Sequence, residues 1–179
     1  SFVHLDEKTI ELIKNICIEK NIKTIHFECH YMHKDDVYEF KKSFERMGVK
    51  CIIKLGLETF DYDLRQNVLI KGIDEKEPKE IAKYFDEINL LQGIAGQNAQ
   101  SMISDIETGL KYFSRVCVNI MIENGMPVHP DNEAIQEFLD EVYRNRKPFN
   151  VIKIGKLYKV PKDSFDKWID GGMTMPEQV

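Results

Sequence analysis

Four short apolar runs, Lys23–Cys29, Val49–Leu55, Glu87–Leu91 and Val116–Ile122, are separated by stretches of helical periodicity, and this alternation constrains the fold more than any other feature of the chain. Behind Asp6, a suitable N-cap, the residues Ile10, Leu12, Ile13, Ile16 and Cys17 recur at helical spacing. Val37, Phe40, Phe44 and Met47 do the same, and Gly48 closes that helix. A further helix is expected from about Asp61, and another where Pro78 opens a first turn. Helices are also predicted over 99–113 and 131–143, the latter capped by Asp131 or Asn132. Before the first helix, Phe2-Val3-His4-Leu5 reads as part of a strand. Strands that alternate with helices through short connections build a parallel sheet with right-handed crossovers.

The two faces of each strand differ. Ile25 and Phe27 share one face of the first run, and His26, Glu28 and His30 the other. In the second, Ile53, Leu55 and Leu57 oppose Lys54, Gly56 and Glu58; in the fourth, Val116, Val118 and Ile120 oppose Asn119, Met121 and Glu123. A doubly wound sheet covered on both sides would be apolar on both faces. A polar second face implies an α/β fold of another kind, a partial (β/α) barrel with parallel strands, helices outside and a wet interior. Four such units are half of an eightfold barrel, and the chain opens at Ser1, so a missing N-terminal half of the barrel is expected.

A chain of 179 residues, 42% hydrophobic and 31% charged, suits one medium domain with or without a small appendage. No run approaches 18 apolar residues, so no membrane partner is expected. Cys17, Cys29, Cys51 and Cys117 stand singly in apolar surroundings, the pattern of reduced, buried thiols in a cytoplasmic protein. Charge is uneven. Residues 1–143 carry 17 basic against 26 acidic side chains, and residues 144–170 carry 8 against 3. Two segments with different partners are implied, with the boundary near Tyr143 and a flexible tail over 171–179.

Within the second unit, Gly56-Leu57-Glu58-Thr59 is followed by Arg65 and by Lys71-Gly72. This string resembles the fourth strand and loop of radical S-adenosylmethionine (SAM) enzymes, and the resemblance implies that Glu58 and Arg65 reach the ribose and amino acid portion of SAM. Glu87-Ile-Asn-Leu-Leu-Gln-Gly-Ile-Ala-Gly-Gln97 is similar to the family's fifth strand, which implies adenosine contacts from Gly93, Gly96 and Gln97. Residues 116–123 resemble the sixth. Glu28 and Lys54, on the polar face, join the cofactor candidates. The resemblance covers roughly residues 23–143. Other readings of these residues stand beside it: an ion pair between Glu58 and Arg65, and plain turn glycines at Gly93 and Gly96. His26, Glu28 and His30 are either a facial metal triad, substrate or cofactor contacts, or hydrogen-bonded interior groups. Positions i, i+2 and i+4 span about 13 Å, too far for one ion without a bulge, so no metal ligand is assigned.

Residues 144–170 resemble the C-terminal half of excisionase-type helix-turn-helix domains. Gly155-Lys156 would turn a hairpin between Val151–Ile154 and Tyr158–Val160. Pro161 or Lys162 would open a last helix on which Phe165 and Trp168 pack. Lys153, Lys156 and Lys159 would then make weak, non-specific phosphate contacts with DNA, or form a solvated basic hairpin. No recognition helix is visible upstream.

Three functions follow as expectations: the SAM-binding half of a radical SAM enzyme with an unknown small-molecule substrate, an excisionase-like DNA-binding protein, or joined gene fragments without a coherent activity. In the first, the intact family reduces SAM to a 5′-deoxyadenosyl radical at a [4Fe–4S] cluster held by Cys-x3-Cys-x2-Cys. That motif is absent here, as is the Gly-Gly-Glu after the family's second strand, so the chain alone should be inactive and no residue is assigned a catalytic role. Anaerobic iron–sulfur reconstitution of this chain is therefore expected to give no stable cluster; a reproducible cluster spectrum with about four irons per chain would contradict it.

Overall fold

The computed structural model describes residues 1–145, 152–154 and 157–159. Four strands, β1 (Thr24–Cys29), β2 (Lys50–Glu58), β3 (Glu87–Gln92) and β4 (Arg115–Ile120), pair in parallel in the order β1-β2-β3-β4. Sequential parallel order with crossovers of one hand places every crossover on the same side of the sheet. That side is dry and the other is not, the arrangement of a partial (β/α) barrel. Along β2, Cys51, Ile53, Leu55 and Leu57 are wholly buried, while Ile52, Lys54, Gly56 and Glu58 are only partly so.

Helices α1 (Glu7–Glu19), α2 (Lys34–Glu45), a short α3 (Pro78–Ile81), α4 (Ala99–Tyr112) and α5 (Asn132–Asn145) follow the predicted periodicity. Asp6 caps α1 by accepting from the Thr9 amide at 2.7 Å, and Asp131 caps α5 through the Ala134 amide at 3.0 Å. Asn98 and Ser101 cap α4 reciprocally. Val37 and Phe44 of α2 pack with Ile53, Leu55, Ile88, Leu90 and Val116 of the sheet in the main core. Asp86, just before β3, joins three elements. Its carboxylate accepts from Lys41 of α2 at 2.7 and 2.8 Å and from the Ile53 amide at 2.8 Å.

Three expectations need correction. Phe2–His4 is a 3-10 turn, not a strand, because Phe2 stacks on Phe40 of α2 at 3.9 Å instead of extending along β1. From Asp61 there is no full helix but a five-residue π-helical turn, Leu64–Val68. Here the loop backbone follows the inward pull of Arg65, described below. The second strand also runs three residues beyond Leu55, to Glu58, with an irregularity where Gly56 pairs with Asn89 but Glu58 pairs with Leu90.

At the C-terminal end, α5 continues past the expected boundary to Asn145. A two-stranded antiparallel ribbon is present, β5 (Ile152–Ile154) and β6 (Leu157–Lys159). Its register pairs Lys153 with Tyr158 and Lys159 with Ile152, so the two lysines occupy positions of opposite parity. Lys156, the helix expected after Pro161 and the tail 171–179 lie outside the described residues.

Gly93, at the end of β3, shows how closely α5 sits on the sheet. Its φ is +90°, and a Cβ there would stand 2.2 Å from Ile135 Cγ1. Replacing Gly93 with alanine is expected to cost about 2–4 kcal/mol through the clash and the left-handed backbone together. In urea denaturation, G93A combined with I135A should lose less than the sum of the two single losses, because Ile135→Ala removes the clash. Additive losses would contradict this packing.

Candidate functional site

The polar face of the sheet is layered. At its base, Glu87 is 3% exposed, and its Oε2 lies 3.4 Å from His26 Nδ1 and 4.0 Å from Lys54 Nζ without a hydrogen bond to either. One step up, Asn89 Nδ2 donates to Glu28 Oε2 at 3.1 Å, and Asn89 Oδ1 is buried without a partner. At the C-terminal rim, Lys71 Nζ donates to Glu58 Oε1 at 2.8 Å, and His30 Nε2 lies 2.8 Å from the Lys71 carbonyl. A cavity of about 150 Å³ is lined by Ser1, Glu28, Cys29, His30, Gly56 and Lys71. It opens at the strand ends where α/β proteins place ligands.

Gly56 is the middle of this site. A Cβ there would lie 3.4 Å from Glu58 Oε1, 3.6 Å from Lys71 Nζ and 3.7 Å from Glu28 Oε1. Two carboxylates and an ammonium thus converge on the space that the glycine leaves. Glu58 has φ +73° at the irregularity of β2, and Ile70 has φ +51° just before Lys71. Both non-glycine residues sit in the left-handed region, at a cost of about 1–3 kcal/mol each, and such strain gathers at functional sites. Here it aims Glu58 and Lys71 at each other.

Arg65 is elsewhere. It is fully buried, donating from Nη1 to the Thr59 carbonyl at 3.1 Å and from Nη2 to the Glu75 carbonyl at 2.6 Å. Burial pushes the pKa of its guanidinium down. Glu58 is paired with Lys71, not with Arg65. Gln97 is turned inward: Oε1 accepts from the Gly93 and Ile94 amides, both at 2.9 Å, while Nε2 lies 3.5 Å from Asp105 Oδ2. Gly93 is covered by Ile135, whereas Gly96 is exposed. Of the sequence-derived candidates, the structure brings together Glu28, Lys54 and Glu58 on one face and sets Arg65, Gly93 and Gln97 beneath the surrounding loops. Lys71, His30, Asn89 and Glu87 complete that face. In sequence, Lys71 stood only in the Lys71-Gly72 end of the string that begins at Gly56, and Glu87 and Asn89 only as members of the third strand.

His26, Glu28 and His30 turn to three different partners, Glu87, Asn89 and the Lys71 carbonyl. Among the described residues no group of His, Cys, Asp and Glu could hold a metal ion. A [4Fe–4S] cluster does not fit this chain's thiols. Cys17, Cys29, Cys51 and Cys117 are free and lie on four different elements. Burial pushes the Cys29 thiol up and the Cys51 thiol up to about 12, the opposite of a thiolate ligand. SAM fits better, because the face offers an ammonium, carboxylates and the gap at Gly56 to a ligand that is itself zwitterionic.

The fold is radical SAM-like. No family model matches the chain, and no curated protein matches it. Among solved structures it is similar to a queuine lyase from Clostridium spiroforme bound to SAM and queuine, with 37% identity and a TM-score of 0.74. That likeness covers 82% of this chain, and the chain spans 62% of the length of the lyase. Nothing in the comparisons supports the excisionase-type wing. Among the described residues no helix is long and apolar enough to cross a membrane.

Beneath the site, Asp105 Oδ1 accepts from the Phe60 amide at 2.9 Å, and desolvation raises its pKa above the ordinary 3.8. A carboxyl that binds its proton more tightly when folded stabilises the fold below its unfolded pKa and loses that contribution as pH rises through the folded value. Wild type should therefore lose stability relative to Asp105→Asn as pH rises above about 4. Urea midpoints of the two proteins running parallel across that range would contradict the assignment.

Proposed function

We propose that this chain is the SAM-binding half of a radical SAM-type enzyme acting on a small base of the kind that queuine represents. The observation that carries this is the convergence of Glu28, Glu58 and Lys71 on Gly56, at the C-terminal ends of parallel strands. The likeness to a lyase bound to SAM and queuine supports it. Lys71 would hold the SAM carboxylate, and Glu58 its ammonium or a ribose hydroxyl, with charge-assisted hydrogen bonds in both cases. The empty position at Gly56 lets the ligand approach the backbone, and Lys54 sets the positive balance below it. When bound in such enzymes, SAM supplies the radical that takes a hydrogen atom from the substrate.

This chain's residues bind and orient; they do not hold the cluster. Its four thiols lie on four different elements, three of them buried, so the iron–sulfur centre would come from residues outside this sequence, and the chain alone would be inactive. Arg65 acts here through the loop, by holding Lys71 over the site, and its contact with the cofactor is indirect. Gly93, Gly96 and Gln97 shape the end of β3 that the adenosine would approach.

Titration calorimetry with SAM tests the reading. Lacking the cluster iron as an anchor, the wild-type chain should bind with a Kd of about 0.1–1 mM, near −4 to −5.5 kcal/mol. Glu58→Gln and Lys71→Met should each weaken binding at least about fivefold, a loss of about 1 kcal/mol, as expected for a charge-assisted hydrogen bond. Tight binding that neither substitution alters would refute it.

A further inference from the structure

We propose that Glu28, with Asn89 and Glu87 beneath it, anchors a protonated amine of the substrate. The proposal rests on the reading of the face as a SAM enzyme's site and names the part of that face which reads the second ligand.

Three carboxylates lie on the face, and two have cations. Glu58 is bonded to Lys71 at 2.8 Å, and Glu87 has Lys54 at 4.0 Å and His26 at 3.4 Å. Glu28 has none within ion-pair distance among the described residues, and its hydrogen bond comes from the neutral Asn89 amide at 3.1 Å. Its other oxygen faces the space over Gly56, where the 150 Å³ cavity lies. An uncompensated carboxylate beside a cavity selects a cation.

Two neighbouring atoms lack hydrogen-bond donors. Asn89 Oδ1 and Glu87 Oε2 are shielded from solvent and accept no hydrogen bond, and Glu87 is 97% buried. Buried acceptors without donors are costly, and a ligand that brings N–H groups relieves them. Glu28 Oε1 lines the cavity, and Asn89 Oδ1 and Glu87 Oε2 lie behind it on β3, away from the cavity lining.

SAM also carries an ammonium, but the Glu58–Lys71 pair at the end of β2 already offers both charges to its zwitterionic end, whereas Glu28 opens on the same cavity from β1 with its charge unmatched. The second ligand is therefore a small, donor-rich molecule with a basic amine. Queuine, a 7-deazaguanine that carries a secondary amine, has this chemistry and serves as the probe.

The full chain, as wild type, Glu28→Gln and Glu28→Asp, is titrated with queuine, with 7-deazaguanine, which lacks the amine, and separately with SAM. Wild type should bind queuine at least tenfold more tightly than 7-deazaguanine. Glu28→Gln should remove that preference and weaken queuine binding at least about fivefold more than SAM binding, and Glu28→Asp should keep part of it; circular dichroism checks that each variant is folded. Equal affinity of wild type for the two bases overturns the proposal, as does an unchanged preference in Glu28→Gln. Parallel loss of SAM and queuine affinity in Glu28→Gln would place Glu28 with the cofactor instead. Absence of queuine binding with SAM binding intact defeats this assignment and leaves the cofactor reading standing. If wild type fails to bind SAM, the cofactor reading fails, and the preference between the two bases still decides this one.

Discussion

Arg65 donates to the carbonyl of Thr59, at the end of β2, and to the carbonyl of Glu75, ten residues further along the chain, so that the loop between them is drawn shut around a buried guanidinium. Removing such a charge from water costs several kcal/mol, which only good hydrogen bonds recover. Both carbonyls would otherwise be polar groups near a dry core. The closed loop brings Lys71 back over the strand it left. There Lys71 is held at three points: its amide donates to the Arg65 carbonyl at 3.1 Å, its carbonyl lies against His30, and its ammonium donates to Glu58. A functional group fixed by backbone and side chain alike loses little entropy when a ligand arrives.

Strain accompanies this order. Left-handed backbone at Glu58 and Ile70 persists because the surroundings determine it, the parallel pairing with β3 on one side and the Arg65 loop on the other. The face so formed carries more acceptors than donors. Glu87 Oε2 and Asn89 Oδ1 are buried there without a hydrogen-bond partner, whereas the carboxylates of Asp86 and Asp105 accept from backbone amides.

The strands and most helices were legible because their signals are local. Period-two alternation in Lys50–Glu58 predicts both the strand and which side is wet, and Asp6 and Asp131 announce the helices they cap. The choice of barrel over doubly wound sheet came from the polar parity alone, and the sequential strand order agrees with it. What depends on pairing between distant segments was not legible. The slip at Leu57, between the Gly56–Asn89 and Glu58–Leu90 pairs, exists only because β2 meets β3, and it sets the position of Glu58. Arg65 carries the same side chain whether it faces a cofactor or clasps two carbonyls, and only burial distinguishes the two. Asn89 and Glu87 were hidden in a run that read as apolar. Phe2–His4 had strand-like residues but no strand beside it, so its ring went to the aromatic cluster of α2.

Hydrogen exchange of the chain with and without SAM tests the central claim most directly, because it asks where the ligand sits without changing a residue. Binding at Gly56 should slow amide exchange in two separate segments, 54–59 at the end of β2 and 69–73 around Lys71, and leave the outer helix α1 unaffected. Protection confined to other segments, or none at SAM concentrations that saturate binding, would contradict the placement of the cofactor on this face.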